Sequence, residues 1–219
     1  MIKPYYSEPN IDIYLGDCLE VMKELPEVNL VLTDPPYNAK NIGRNRRTYS
    51  EGIMQLPVEE YKLFCSRWFQ AASIISDNRV FTPGIANTHN YPQPDWILCW
   101  HKPSAVCFNK FQGFNAWEPI FVYGKNTERI GQDYIKYDSL NFNKGPEKYH
   151  PCPKNINLIK WLIKHFSNEG DTILDPFLGS GTAVRACKDL NRKCIGIEIN
   201  EDYCKIAIKR LGQEVFSFD

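Results

Sequence analysis

One apolar segment limits the fold more than any other part of the chain. Residues 28–33 read Val-Asn-Leu-Val-Leu-Thr, a nearly continuous apolar run, and Asp34, Pro35 and Pro36 follow directly. A strand of this kind is buried on both faces, which is typical of a parallel sheet covered by helices. The two prolines remove backbone donors and end the strand. The segment therefore predicts an α/β fold with Asp34 at the carboxyl edge of a central strand.

The rest of the chain supplies further strands and helices for such a sheet. Apolar runs predict strands at residues 11–15, 79–83, 95–100 and 119–124. Apolar residues at helical spacing predict a helix from Val58, and residues 125–153, which lack periodicity, are expected to form a loop. The C-terminal third alternates helix, strand, helix, strand, helix, as in parallel α/β units. At 219 residues, a single domain is the simplest expectation.

Composition argues against several classes of protein. Apolar residues make up 43% of the chain and charged residues 24%, which is ordinary for a globular domain. No run of about 18 apolar residues occurs, so a membrane span is not expected. The first residues lack the apolar core of a secretory signal, which predicts a cytoplasmic protein. The eight cysteines form no CxxC pair and no histidine lies at zinc-ligand spacing, so we expect reduced thiols and no metal.

Charge is segregated along the chain although the formal net charge is zero. Residues 8–34 hold seven acids and one lysine, whereas the charged residues of 38–48 are all basic. Basic residues recur between Lys125 and Lys164. Such segregation would let a neutral protein present one basic face, although a net charge of zero by itself argues weakly against a large polyanionic partner. A solvated charge is the alternative at each position. The candidates for phosphate contact are Lys40, Arg44, Arg46, Arg47, Lys136, Lys144 and Lys148.

A glycine turn near the C-terminus predicts a nucleotide-like ligand. In ILDPFLGSGTA, residues 173–183, a strand leads through Gly179 and Gly181 into a helix. Glycines let a ligand approach the backbone, and the helix N-terminus favours negative charge. Glu198 ends the next strand, near the roughly 20-residue spacing of an acid that binds ribose hydroxyls. The third glycine of a dinucleotide fingerprint is missing, so the pattern leaves open a nicotinamide dinucleotide, S-adenosylmethionine or a plain tight turn.

Asp34, Pro35, Pro36 and Tyr37 suit an amino group on a heteroaromatic ring. Asp34 and the Pro35 carbonyl offer acceptors for its two N–H bonds, because proline leaves carbonyls without a local donor. Tyr37 offers a flat face on which the ring can stack. Since Asp34 and the glycine turn both lie at carboxyl ends of strands, we expect them to face one crevice.

The same residues resemble a known family. TDPPYN and DPFLGSGT are similar to the catalytic and cofactor motifs of the DNA amino-methyltransferases, which methylate adenine N6 or cytosine N4. Their order resembles the β class, and the resemblance covers roughly the first 38 and last 70 residues, with an echo in WHK and WEPIFVYGK. It implies a single Rossmann-like methyltransferase domain with permuted motif order and a mixed, mostly parallel sheet with helices on both faces.

The resemblance also assigns roles to residues. It implies that Asp34, Pro35, Pro36 and Tyr37 bind the target base, which is rotated out of the duplex and methylated by direct attack. An Asp before Pro-Pro-Tyr favours adenine N6 over cytosine N4. S-adenosylmethionine is the implied cofactor. The residues implied to hold it are Asp17, Cys18, His150, Lys154, Asp175, Pro176, Phe177, Gly179, Ser180, Gly181, Thr182, Glu198 and Ile199.

The sequence departs from the family in two places. Only residues 38–56 and about 102–150 are free for target recognition, so readout is expected to be short, lax or shared across a homodimer. Asn155 stands where the family tends to have Pro, which leaves the start of the following helix open. Alternative functions are cytosine-N4 methylation of DNA, adenine methylation of RNA, non-catalytic nucleic-acid binding and NAD-dependent oxidoreduction.

Overall fold

The computed structural model describes residues 2–38, 53–54, 56–102, 115–125, 127–137 and 154–212. The strands are β1 (Tyr6–Glu8), β2 (Ile11–Leu15), β3 (Leu30–Thr33), β4 (Tyr37–Asn38), β5 (Ile53–Met54), β6 (Arg79–Phe81), β7 (Trp96–His101), β8 (Trp117–Tyr123), β9 (Tyr134–Lys136), β10 (Thr172–Asp175) and β11 (Lys193–Glu198). The α-helices are α1 (Cys18–Val21), α2 (Val58–Ile75), α3 (Ile156–Phe166), α4 (Thr182–Asp189) and α5 (Glu201–Leu211). Short 3-10 helices span Met22–Glu24 and Ile85–Asn90.

Nine strands form one sheet in the order β1-β2-β11-β10-β3-β6-β8-β7-β9, and β4 pairs with β5 separately. In the large sheet β1 and β8 run against the other seven strands. The expectation of a mixed, mostly parallel sheet is confirmed. The carboxyl ends of β2, β11, β10, β3, β6, β7 and β9 consequently meet at one edge, called the carboxyl edge below.

The central strands are apolar on both sides because helices cover both faces of the sheet. Leu30, Val31 and Leu32 in β3 are each at most 2% exposed. Side chains of α1 and α2 pack on one face, and those of α3, α4 and α5 pack on the other. Each large apolar side chain buried in this way contributes about 1.5–3 kcal/mol relative to an exposed position.

Helix α2 carries much of the core on its face of the sheet. Trp68, which has no exposed surface, meets the rings of Phe81 and Tyr91 at centroid distances of 5.0 and 5.6 Å. These tilted contacts are the favoured geometry for aromatic pairs. They fix α2 beneath the loops that follow β3 and β6, and those loops carry the site described below.

The structure adds a strand within residues 125–153, which were predicted to form a loop or small excursion. Tyr134–Lys136 form β9, which pairs in parallel with β7 and buries Ile135 to 4% exposure. A strand of three residues with a single inward side chain is too short to show periodicity. Strand β1, which lacks an apolar pattern, was also not predicted.

Large parts of the predicted recognition segments 38–56 and 102–150 lie outside the described residues. No helix in the described part of the chain is long and apolar enough to cross a membrane. Within the same ranges, no group of three or more His, Cys, Asp or Glu side chains could hold a metal ion.

Candidate active site

The carboxyl edge brings together residues that are far apart in the sequence. Asp34 follows β3, Asp175 ends β10 and Glu198 ends β11. The Thr33 hydroxyl donates to Asp175 Oδ1 at 2.6 Å and so ties β3 to β10 directly beside Asp34. The strand order thus brings Asp34 and the glycine turn to the same edge of the sheet, and a shared crevice stays a prediction.

The glycine turn between β10 and α4 has the backbone that only glycine adopts readily. Gly179 has φ +52° and Gly181 has φ +81°. A Cβ at Gly181 would lie 2.6 Å from the Cβ of Ala207, so this glycine also lets α4 and α5 approach closely. The Gly179 N–H donates to Glu198 Oε2 at 2.7 Å, which fixes the turn against the end of β11.

Glu198 presents a carboxylate with acceptor capacity to spare. Its Oε1 accepts from Asn200 N at 2.9 Å, and its Oε2 accepts from Gly179. Burial raises the pKa of Glu198, while these backbone N–H groups oppose that rise. Each carboxylate oxygen can accept a further hydrogen bond, so the group can still bind hydroxyls of a ligand.

Strand β2 places further predicted residues beside Glu198. Gly16 N donates to the Glu198 carbonyl at 2.9 Å. Asp17 caps α1 by accepting from Leu19 N at 2.7 Å, and burial raises the pKa of Cys18 to about 12, so it remains a thiol. Ile199, 72% exposed, follows Glu198 at the same edge. These residues, called the niche below, lie at the carboxyl edge near the glycine turn.

Other predicted cofactor residues have partners within the protein. Phe177 packs on Trp68 with ring centroids 5.5 Å apart, and Thr182 Oγ1 accepts from Arg210 Nη1 at 2.6 Å. Pro176 and Ser180 are buried. Burial raises the pKa of Asp175 to about 7, although bonds from Thr33 and Phe177 N oppose this. In the turn itself, the backbone is thus the part available to a ligand.

Asp34 is held through one of its two oxygens. Asp34 Oδ1 accepts short hydrogen bonds from the hydroxyls of Tyr37 and Thr82, and Lys154 Nζ lies 3.0 Å from the same oxygen. Among the described residues, none is recorded in contact with Oδ2. The side chain is 31% exposed. Asp34 is therefore fixed in orientation, and within the described part of the chain Oδ2 is its acceptor without a partner.

A chain of alternating charges leads away from Asp34. Lys154 Nζ lies 3.2 Å from Glu118 Oε2, and Lys102 Nζ forms a short ion pair with Glu118 Oε1. Both ammonium groups also lie 5.1 Å from the ring centroid of Trp100. Lys154 was expected near the cofactor, and the contacts recorded for its ammonium group are to Asp34, Tyr37, Glu118 and this ring.

Mutual attraction keeps Glu118 and Lys154 charged although both side chains are largely buried. Burial alone would raise the pKa of Glu118, but Lys154 and Lys102 lower the pKa to about 2. Burial alone would lower the pKa of Lys154, but Asp34 and Glu118 hold its pKa well above the usual value. Burial, together with Asp34, raises the pKa of Tyr37, so its hydroxyl stays neutral.

The backbone after Asp34 offers a second acceptor. The Tyr61 hydroxyl donates to the Pro36 carbonyl at 3.0 Å. No side-chain or turn donor within the described ranges is recorded for the Pro35 carbonyl. The ring of Tyr37 packs on Gly84, where a Cβ would lie 3.0 Å from the Tyr37 Cε1. Asp34 Oδ2 and the Pro35 carbonyl are thus the acceptors that remain next to the Tyr37 ring.

Glu118, Lys102 and Thr82 are site residues that the sequence did not identify. Glu118 and Lys102 fall within WEPIFVYGK and WHK, and an acid opening an otherwise apolar strand was the available sign. Thr82 follows β6 with nothing in the sequence to distinguish it.

Among the predicted phosphate contacts, Lys136 is exposed at the end of β9. Two groups of predicted residues lie outside the described residues. They are the phosphate contacts Lys40, Arg44, Arg46, Arg47, Lys144 and Lys148, and the cofactor residue His150.

Sequence comparisons place the chain among bacterial methyltransferases. A family model described as DNA methylase matches residues 28–209. Type II methyltransferase M.HpaI of Haemophilus parainfluenzae is 28% identical, with 93% of this chain and 75% of the relative covered. Type II methyltransferase M.HindIII of Haemophilus influenzae is 48% identical over 135 residues, 59% of this chain and 43% of the relative.

Solved structures share the fold at low sequence identity. The cytosine-N4-specific PvuII DNA methyltransferase superimposes with a TM-score of 0.72 at 18% identity, covering 98% of this chain and 91% of that one. The M1.HpyAVI–SAM complex gives a TM-score of 0.65 at 22% identity, covering 93% and 100%.

Proposed function

The chain belongs to the family of S-adenosylmethionine-dependent DNA amino-methyltransferases, and from this premise we propose that it methylates N6 of adenine in duplex DNA. The observation that carries the proposal is the state of Asp34. Its Oδ1 is occupied by Tyr37, Thr82 and Lys154, and Oδ2 is left to a substrate at the edge that also holds the glycine turn.

The residues at the glycine turn fit S-adenosylmethionine. Gly179 and Gly181 leave the backbone of the turn without side-chain bulk, and Glu198 retains acceptor capacity for ribose hydroxyls. Ile199 offers an exposed apolar side chain beside Glu198 on which an adenine ring can rest. Asp17 and Cys18 close the niche from β2. When bound there, S-adenosylmethionine supplies a methyl group on a positively charged sulfur.

Asp34 and the Pro35 carbonyl act on the target amino group. Asp34 Oδ2 accepts one N–H and the Pro35 carbonyl accepts the other, which orients the nitrogen lone pair and raises its electron density. Tyr37 holds the ring of the base by stacking. Asp34 Oδ2 is also placed to receive the proton that the nitrogen gives up. Because both acceptors are already fixed by the protein, little reorganisation is needed during the reaction.

The choice of adenine follows from Asp34, since Asp before Pro-Pro-Tyr is the form that resembles adenine-N6 enzymes. In a duplex, the amino group can reach Asp34 only if the base leaves the stack. Contacts to phosphates by Arg44, Arg46, Arg47 and the neighbouring lysines remain predictions, and so does a homodimer that would extend the short recognition segments.

The test is transfer of tritiated methyl groups to PCR-amplified DNA, which carries no methylation, followed by nucleoside analysis. We expect N6-methyl-2′-deoxyadenosine in the duplex DNA product and less transfer when RNA is the substrate. N4-methylcytosine would establish the alternative DNA target, and a product on RNA alone would refute the proposed substrate.

A variant at Asp34 checks the mechanism separately. Asp34→Ala should abolish methyl transfer because it removes the acceptor for the amino group, while S-adenosylmethionine binding measured by calorimetry should persist. Glu198→Ala is the matched change in the cofactor niche, and it should weaken cofactor binding instead. Normal turnover by Asp34→Ala would rule out the proposed role.

A further inference from the structure

Glu118 lies between two lysines at the back of the site. Its side chain is 19% exposed, and those of Lys154 and Lys102 are 14% and 10% exposed. A buried ion pair gains little stability over apolar packing, because desolvation of the charges offsets their attraction. A gain in stability therefore does not account for two lysines on one buried carboxylate. We therefore look for a role in the position of the side chains that these three residues contact.

Lys154 connects this cluster to Asp34. Its ammonium group contacts Glu118 Oε2 at 3.2 Å on one side and Asp34 Oδ1 and the Tyr37 hydroxyl at 3.0 Å on the other. The contacts to Glu118 and Tyr37 are hydrogen bonds and the contact to Asp34 is an ion pair, so the ammonium group is held between two carboxylates. The direction of Lys154 is thus set by Glu118, and Lys102 in turn fixes Glu118 through Oε1.

The position of Lys154 decides which oxygen of Asp34 remains available. The ammonium group joins the hydroxyls of Tyr37 and Thr82 at Oδ1. If Lys154 moved, it could follow the carboxylate and occupy Oδ2, the oxygen required by the substrate. A long lysine side chain without a second partner has several rotamers from which to do so.

We propose that Glu118 is a positioning residue for methyl transfer: it anchors Lys154 against Asp34 Oδ1 and keeps Oδ2 open for the amino group. Glu118 acts through Lys154 and does not contact the base. The inference rests on the proposed function of Asp34. It extends that function to strand β8, which carries Glu118 and reaches Asp34 through Lys154.

The test compares single-turnover rates of Glu118→Gln, Lys154→Met and the double variant with tritiated S-adenosylmethionine and PCR-amplified DNA. Because small misplacements cost one to two orders of magnitude, Glu118→Gln should slow transfer by about tenfold or more. In the Lys154→Met background, the same change should cost little further, since the group through which it acts is gone. Cofactor affinity should be unchanged.

A pH profile separates positioning from a loss of packing. Lys154 faces Asp34, Tyr37 and Glu118, and Lys102 faces Glu118. Removing the charge of Glu118 lowers the pKa of Lys154, so the ammonium group loses its proton at a lower pH. The alkaline fall in rate should shift to lower pH in Glu118→Gln, which a purely structural defect would not produce.

Asp189→Asn is the matched control. Asp189 is also a carboxylate between two cations, with Arg185 Nη2 and Lys160 Nζ each at 2.6 Å and 13% exposure, at the far end of α4. This variant should keep the wild-type rate and pH profile. A wild-type rate and profile in Glu118→Gln, with Asp34→Ala inactive, would overturn the role of Glu118 alone. Activity in Asp34→Ala would instead overturn the proposed function.

Discussion

At the scale of single residues, the backbone conformation of Gly84 affects the position of the Tyr37 ring. Gly84 has φ +72°, and a Cβ there would lie 3.0 Å from the ring of Tyr37. Gly84→Ala should displace this ring and slow methyl transfer by about tenfold or more, because the ring and the Asp34 contact move together. Single-turnover kinetics measure the effect.

Gly170→Ala provides the control for Gly84→Ala. Gly170 has φ +81°, and an added Cβ would meet no atom within 4 Å. Gly84, with ψ 146°, lies in a backbone region that only glycine adopts readily, so Gly84→Ala should lower the free energy of unfolding by about 1–3 kcal/mol, and Gly170→Ala should carry a cost of the same order from its positive φ. Only Gly84→Ala should change the rate. Equal rates in the two variants would show that the Tyr37 ring does not depend on Gly84.

The predicted site residues that belong to a local motif can be assigned to one element from the sequence alone. Asp34, Pro35 and Tyr37 follow one strand, and Gly179 and Gly181 open one helix. Glu118 and Thr82 were not predictable in this way, since their contacts with Lys154 and Asp34 depend on the placement of β8 and β6 in the sheet. Residues separated in sequence become neighbours only through strand order.

At the scale of elements, Asn155 explains how α3 begins without the proline that the family favours. Asn155 Oδ1 accepts from Asn157 N at 2.8 Å and so caps the helix. Asn155→Ala should lower the free energy of unfolding by about 1 kcal/mol, as at other N-caps. The rate of methyl transfer should also fall, because Lys154 precedes the cap directly. Urea denaturation and single-turnover kinetics measure the two effects.

Asn155→Ser is the matched variant, because serine also caps helices well. It should restore most of the stability and rate that alanine loses. Equal losses with alanine and serine would indicate that Asn155 acts through contacts other than the cap.

Strands with consecutive apolar residues were predicted, including the three-residue β6, whereas β9 with its single buried apolar residue was not. Helix α2 and the apolar strand β3 have enough residues to show periodicity or its absence. Strand β9 has three residues, and it can be recognised as a strand only from its parallel pairing with β7, which comes earlier in the chain. Such strands depend on tertiary pairing more than on their own sequence.

At the scale of the whole molecule, Asp175 makes stability depend on pH. Its pKa is about 7 in the folded protein, against 3.8 for an ordinary aspartate. Between these values the folded chain holds a proton that the unfolded chain has lost, so the free energy of unfolding falls as pH rises. From pH 5 to pH 8, Asp175 should remove about 2–3 kcal/mol, measured by urea denaturation.

Asp175→Asn isolates this contribution. Asparagine keeps an acceptor for Thr33 and Phe177 N but cannot ionise, so the variant should lose less stability over the same range. Glu198 and the remaining titrating groups are common to both proteins and cancel in the comparison. Identical pH dependence in the two proteins would contradict the raised pKa of Asp175.

The order of the strands has a consequence for how the protein is made. β2 and β3 emerge early from the ribosome, yet β11 and β10, which emerge late, separate them in the sheet. The nascent chain can therefore pair β3 with β6, but the β1–β2 hairpin has no place in the sheet until synthesis is nearly complete. A polypeptide cut short before β10 would lack the middle of its sheet, and would expose apolar strand edges to aggregation.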